Sequence, residues 1–120
     1  MESTERRQTL RHTFLESEGN LIKGTILIDD KEYPISVVDL SLAGMNCYVE
    51  KNTAELLKKQ SVYNIELNFK NDGNVFIKGQ MMWRKEIGNN NNKELSVGFY
   101  NFIPDEKHHV NMLEFLKSLN

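Results

Sequence analysis

A short polar stretch, residues 39–44 (Asp-Leu-Ser-Leu-Ala-Gly), stands where an apolar strand pattern would otherwise continue. Tyr33, Ile35 and Val37 alternate with other residues, so Asp39 is the next residue on their face, at a position expected to be half buried. A carboxylate at such a position is costly unless it is paired or faces a ligand.

Two further residues of this stretch have side-chain or backbone properties that a site can use. Ser41 is the next residue on the face of Asp39, and Gly44 can adopt a positive φ or let another group approach the backbone closely. Taken by itself, the stretch is more typical of a strand end that turns through an Asx- or Ser-type motif. Arginines upstream of this stretch make a binding site the favoured interpretation.

Three of the four arginines in the protein lie near the N-terminus, at Arg6, Arg7 and Arg11. Arginine is favoured over lysine where a planar fork must bind phosphate or stack on a ring. Arg7 and Arg11 share a face whether the segment is extended, about 13 Å apart, or helical, with an axial rise of about 6 Å. They can therefore bracket one multiply charged ligand, although most polar termini are only solvated and frayed.

The composition describes one soluble domain of 120 residues, with 39% hydrophobic and 27% charged residues. The net charge of -2 argues against bulk affinity for nucleic acid. The N-terminus lacks the pattern of a signal peptide, and no apolar run approaches the length of a membrane span. We therefore expect a cytoplasmic protein without membrane insertion.

Residues suited to catalysis or metal binding are sparse. The sequence has no Ser/His/Asp order with a strained turn, no phosphate-cradling glycine loop and no metal-ligand spacing. His108 and His109 are adjacent, so they point in different directions on a helix, and we expect both to be solvated. Cys47 is expected to be a small buried hydrophobe. We expect neither an enzyme nor a metal or cofactor site.

Apolar alternation separated by turn residues predicts six strands, and an amphipathic stripe after residues 104–106 predicts one C-terminal helix. Trp83 is expected in the core, and Asn52 is expected to cap a helix of one or two turns. These elements indicate a small antiparallel barrel or sandwich with a helical lid. The predicted strands are 22–28, 32–40, 45–49, 63–69, 75–83 and 95–99.

Together, the two polar motifs resemble the signatures of PilZ domains. Residues 5–11 contain R-x-x-x-R, residues 39–44 fit [D/N]-x-S-x-x-G, and two predicted strands separate them. The strands that contain Met82-Trp83 and residues 95–99 are also similar to this family. The resemblance implies an all-β fold: a six-stranded antiparallel β-barrel with a C-terminal α-helix. It divides the chain into a flexible arm, residues 1–12, and a barrel domain, residues 13–120.

The resemblance also implies that the protein binds the bacterial second messenger cyclic di-GMP (c-di-GMP). The protein would be a receptor or adaptor that regulates motility, biofilm or exopolysaccharide output through a downstream protein effector. Arg7 and Arg11 would hold phosphates and base faces, with Arg6 as an auxiliary cation. These roles suit guanidinium groups, which can both fork onto phosphate and stack on purines.

The strand-end motif would contact the base. Asp39 would read the guanine edge by accepting from its N1-H and N2-H groups, Ser41 would add a hydrogen bond, and Gly44 would keep the turn open. Two alternatives remain. One is a small barrel that binds RNA or single-stranded nucleic acid, against which the net charge and the buried aromatic pattern count. The other is a protein-interaction adaptor without a ligand.

Overall fold

The computed structural model describes residues 11–70, 73–86, 94–103 and 105–119. Arg6 and Arg7 lie outside the described residues. The elements in chain order are β1 (Arg11–Thr13), a 3-10 turn (Glu16–Glu18), β2 (Ile22–Ile28), β3 (Lys31–Ser41), β4 (Gly44–Glu50), α1 (Lys51–Leu56), β5 (Val62–Phe69), β6 (Gly73–Glu86), β7 (Glu94–Phe102) and α2 (Glu106–Ser118).

Six antiparallel strands close into a barrel, in the order β3, β2, β5, β6, β7, β4 and back to β3. The predicted six-stranded antiparallel barrel and its C-terminal helix, α2, are therefore confirmed. β1 adds a short seventh strand beside the end of β3, with Arg11 opposite Ser41 and Thr13 opposite Asp39. Arg11 and His12, which the sequence placed in a flexible arm, thus lie along the barrel wall.

The hairpin between β2 and β3 turns through two residues, one fewer than the predicted strand ends at 28 and 32 leave, because Lys31 already belongs to β3. Asp29 and Asp30 both have left-handed backbone conformations, with φ of 50° and 68°. Aspartate tolerates this conformation, and paired positive φ values match the twist of antiparallel strands. This turn fixes the register that delivers the far end of β3 to the neighbourhood of β1 and β4.

The barrel interior is filled by aliphatic side chains from alternate positions of each strand, and α2 contributes Met112, Phe115 and Leu116 to this core. Phe115 stacks on Phe69 with ring centroids 3.9 Å apart. Cys47 is fully buried in β4, as predicted. Burial raises the pKa of its thiol, and the nearby charge of Asp39 raises that pKa further.

Trp83 lies outside the core with 39% of its surface exposed, so its predicted place in the core is wrong. A bulge in β6 pairs Met81 with Phe99 but Trp83 with Gly98, which leaves Met82 as the extra residue. The extra residue shifts the alternation by one position, so Met81 fills the core and Trp83 lies on the outer surface.

Two details of the helices also differ from expectation. Helix α1 begins at Lys51 after Glu50, without a side-chain cap, so the predicted cap at Asn52 is wrong. His109 is exposed as expected, but His108 is half buried and its ring stands edge-on to Phe76, with centroids 5.4 Å apart. The first turn of α2 is capped by the side chain of Asp105, which accepts a hydrogen bond from the backbone N-H of Lys107.

Candidate functional site

A bulge near the end of β3 determines which way Asp39 faces. Val37 pairs with Cys47 and Asp39 pairs with Asn46, so Val38 is the extra residue. Beyond this bulge Leu40 fills the core, and Asp39 lies on the outer face. The predicted half burial of Asp39 is confirmed, but its predicted place on the face of Ile35 and Val37 is wrong, because the bulge inverts the alternation.

The two carboxylate oxygens of Asp39 differ in their hydrogen-bond partners. Its Oδ2 accepts a hydrogen bond of 2.9 Å from Nδ2 of Asn46. Its Oδ1 lies 3.9 Å from Nη1 of Arg11, too far for a hydrogen bond. That oxygen is shielded from solvent and has no hydrogen-bond partner among the described residues. Since a buried acceptor without a partner is costly, Oδ1 is suited to accept from a bound molecule.

Ser41 and Gly44 close the turn between β3 and β4. The hydroxyl of Ser41 accepts from the backbone N-H of Gly44 at 3.1 Å and lies 3.3 Å from the carbonyl oxygen of Gly44, to which it can donate. Asn101 supports this turn from β7: its backbone N-H donates to the carbonyl of Ala43 at 2.8 Å, and its side chain donates to that of Ser41 at 3.4 Å. Hydrogen bonds within the turn, from Ser41, and from the neighbouring strand, from Asn101, therefore stabilise it.

Gly44 does not have a positive φ, so the feature that favours glycine there is close packing. A Cβ atom at residue 44 would lie 3.3 Å from the carbonyl oxygen of Phe99 and 3.7 Å from Nη2 of Arg11. The first distance is tight and involves backbone, so a side chain at residue 44 requires a small shift between β4 and β7, whereas the second is an ordinary van der Waals contact. The absence of a side chain at Gly44 therefore allows the close pairing of β4 with β7 at Phe99.

Arg11 is 49% exposed by side-chain area and extends along the outer face beside Ser41 and Asp39. A shallow groove of about 460 Å³ begins at its side chain and runs over the turn to β6 and β7. The groove is lined by Arg11, Ser41, Ala43, Gly44, Met82, Phe99 and Tyr100. The structure thus brings Arg11, Asp39, Ser41 and Gly44 together, while Arg6 and Arg7 lie outside the described residues.

Strand register arranges the outer face in two rows that cross the barrel wall. One row contains Thr13, Asp39, Asn46, Gly98 and Trp83 in adjacent strands. The next row contains Arg11, Ser41, and then Gly44, Tyr100 and Gln80. One face therefore offers a cation, a carboxylate, an amide and two exposed aromatic rings.

Sequence reasoning missed Asn46, Asn101 and the outward position of Trp83. The alternation of Met45, Cys47 and Val49 was enough to place Asn46 on the outer face of β4. The long-range contacts of Asn101 and the bulge that exposes Trp83 leave no comparable pattern in the sequence.

Arg84, the fourth arginine of the chain, has a structural role. Nη1 of Arg84 donates to the carbonyl of Ala54 and so fastens α1 to β6. Within the part of the chain that the structure describes, no group of histidine, cysteine and carboxylate side chains could hold a metal ion. No helix among the same residues is long and apolar enough to span a bilayer.

The sequence model of the PilZ domain matches residues 5–115, which include both polar motifs. The chain belongs to the PilZ domain family. A search of curated protein sequences finds no match to this PilZ domain.

Solved structures with the same fold include three relatives at low identity. MrkH of K. pneumonia, in complex with c-di-GMP, has a TM-score of 0.78 at 12% identity over 91% of this chain and 50% of that one. The PilZ domain of YcgR from Escherichia coli with c-di-GMP has a TM-score of 0.70 at 17% identity over 95% and 91%. The Bacillus subtilis inhibitor of motility, MotI/DgrA, has a TM-score of 0.69 at 8% identity over 95% and 51%. The chain spans about half the length of MrkH and MotI/DgrA.

Proposed function

We propose that this PilZ domain is a receptor for c-di-GMP, bound between the N-terminal arginines and the strand end at residues 39–44. The observation that carries the proposal is the oxygen Oδ1 of Asp39, which is shielded and lacks a hydrogen-bond partner while it faces Arg11. An acceptor and a guanidinium placed side by side suit a ligand that combines N-H donors with phosphate. MrkH and the YcgR domain, which have this fold, are both described with c-di-GMP.

The roles follow the chemistry of each group. Arg11, with Arg7 from the preceding segment and Arg6 as an auxiliary cation, holds the phosphates or stacks on a base. Asp39 accepts from the N1-H and N2-H groups of one guanine.

Ser41 and Gly44 serve this arrangement by holding the turn. The hydroxyl of Ser41 is engaged with Gly44, and it would have to leave these contacts to donate to the ligand. Gly44 lets the turn lie close to the backbone of β7 at Phe99.

On this proposal, binding of c-di-GMP changes the surface around the strand end at residues 39–44. We infer that a downstream protein effector recognises this change and that the output concerns motility, biofilm formation or exopolysaccharide. A motility output is supported by the likeness in fold to the inhibitor of motility MotI/DgrA.

Titration calorimetry of the full chain with c-di-GMP, GMP and a short oligonucleotide tests the proposal. We expect saturable binding of c-di-GMP, with GMP much weaker because it has one base and one phosphate. Binding of the oligonucleotide without binding of c-di-GMP would instead favour a nucleic-acid-binding barrel. Absence of binding to all three would favour a protein adaptor.

A further inference from the structure

We propose that Asn46 is a specificity-determining residue that reads guanine together with Asp39; this inference rests on the proposed function. The two side chains are opposite each other on adjacent strands and are joined by the 2.9 Å hydrogen bond from Nδ2 to Oδ2. Because an ionised carboxylate can only accept, the amide nitrogen of Asn46 must be the atom that faces Asp39. This fixes the orientation of the amide.

Because the amide orientation is fixed, the polar atoms of Asn46 and Asp39 form a row with a defined order of donors and acceptors. Nδ2 of Asn46 carries two hydrogens, and only one of them is directed at Asp39. Read across the pair, the groups are a donor on Asn46, then the acceptors Oδ2 and Oδ1 of Asp39. Guanine presents the complementary order on its Watson–Crick edge: the acceptor O6, then the donors N1-H and N2-H. The pair therefore has the donor and acceptor order that cytosine presents to guanine.

The pair is partly exposed and is flanked by Arg11 on one side and by Trp83 on the other. Both side chains lie on the outer face, where Asn46 alternates with the buried Met45 and Cys47. Its neighbour in the next strand is Gly98, which has no side chain, and the indole of Trp83 lies over that glycine. When Arg11 moves from its position 3.9 Å from Oδ1 toward a phosphate, a guanine N-H can take its place.

The same edge disfavours adenine. Adenine has the donor N6-H₂ where guanine has O6, and the acceptor N1 where guanine has N1-H. The free hydrogen of Asn46 would then face a donor, and Asp39 would face an acceptor. Asn46 therefore contributes to selectivity at the O6 position, which Asp39 alone does not read.

The test compares the affinities for c-di-GMP and cyclic di-AMP in the full chain and in two variants. Asn46→Ala removes the donor, and we expect the preference for c-di-GMP to shrink about tenfold. Asn46→Leu keeps a branched side chain of similar shape but has no hydrogen-bonding group, and the preference should shrink about as much. Asn68→Ala, which truncates an exposed asparagine of β5 on the other side of the barrel, is the matched control and should leave the preference unchanged.

Each outcome decides a different question. If the parent chain prefers c-di-GMP and both Asn46 variants lose that preference while the control keeps it, the proposal is supported. If the parent binds c-di-GMP and the Asn46 variants keep its preference, the role of Asn46 is overturned and the receptor function stands. If the parent does not bind c-di-GMP, both proposals fail together. Should Asn46→Ala not fold, as judged by its melting curve, Asn46→Leu has a side-chain shape closer to that of asparagine and gives the same readout.

Discussion

The indole of Trp83 covers Gly98 so closely that a Cβ atom at residue 98 would overlap the ring. The two residues are partners in the β6–β7 ladder, in the same row of the outer face as Asp39 and Asn46. Trp83 is the single tryptophan of the chain, so its fluorescence reports on this face alone.

Gly98→Ala should therefore displace the indole without disrupting the barrel. Because Trp83 is already partly exposed, its ring can swing outward, and we expect a stability loss of roughly 1 kcal/mol. The emission maximum should move to longer wavelength as the ring becomes more hydrated. Gly73→Ala is a useful contrast, since Gly73 has φ of 80° and nothing near its Cβ position. Gly73→Ala should lower the stability of the fold, because alanine is strained at a positive φ, and should leave the emission maximum unchanged. An unshifted emission in Gly98→Ala would contradict the observed packing.

Arg11→Lys tests whether the guanidinium fork is needed in addition to its charge. Lysine keeps the positive charge but loses the planar fork and the stacking face, so c-di-GMP binding should weaken by roughly 1 kcal/mol or more. We expect the same of Arg7→Lys from the sequence motif. Calorimetry gives the affinities, and Lys23→Gln, which removes a charge from an exposed site on β2, is the control. Lysine variants that bind like the parent would show that charge alone is sufficient.

Local patterns were enough to predict the barrel and much of the candidate site. The alternation in β5 and the stripe of α2 both follow from short-range preferences that tertiary packing did not override. The gathering of Arg11, Asp39, Ser41 and Gly44 was also predicted, because the two motifs resemble those of one family. Local sequence and global fold agree in these segments.

The errors occur where strands are irregular or where contacts are distant in sequence. One extra residue in β3 and one in β6 reverse the faces predicted for Asp39 and Trp83. A bulge depends on how two strands meet, and alternation within one strand does not reveal it. The support of the turn by Asn101 joins residues 60 positions apart, and only the closed barrel brings them together.

Glu18 should contribute to stability in a pH-dependent way. Its Oε1 accepts from the backbone N-H of Leu15 at 2.8 Å and lies 3.2 Å from Nε2 of His12. The hydrogen bond from Leu15, followed by that from His12, lowers the pKa of Glu18 below its ordinary value of 4.5. A carboxyl group with a lowered folded-state pKa stabilises the fold above its unfolded-state pKa, and this stabilisation is lost as pH falls through the folded-state pKa.

Denaturant unfolding at a series of pH values measures this contribution. The parent chain should lose stability on acidification below about pH 4.5 more steeply than Glu18→Gln, which has no carboxyl group at that site. Glu55→Gln, at an exposed position in α1, serves as the control and should follow the parent. Parallel curves for the parent and Glu18→Gln would show that the contact does not persist in solution.

Asp39 is the residue at which a turn-forming role and a ligand-binding role make opposite predictions. The structure gives its carboxylate a partner in Asn46, so removal of the side chain frees a half-exposed amide that water can satisfy. Asp39→Ala should therefore leave the melting temperature of the free protein little changed. The bound guanine would lose its acceptors, and buried donors without partners cost roughly 1 to 3 kcal/mol, so affinity for c-di-GMP should fall by that amount.

Asp39→Asn separates the two roles further. Asparagine forms the same turns as aspartate, so a turn-forming residue would tolerate the change in both stability and binding. A guanine-reading residue would not, because the amide offers one acceptor and one donor where the carboxylate offers two acceptors, and affinity should lie between parent and alanine variant. Glu32→Ala, on the exposed part of the same strand, is the control for both measurements. Lost stability with unchanged affinity in Asp39→Ala would make Asp39 a turn residue and remove the main support for the receptor assignment.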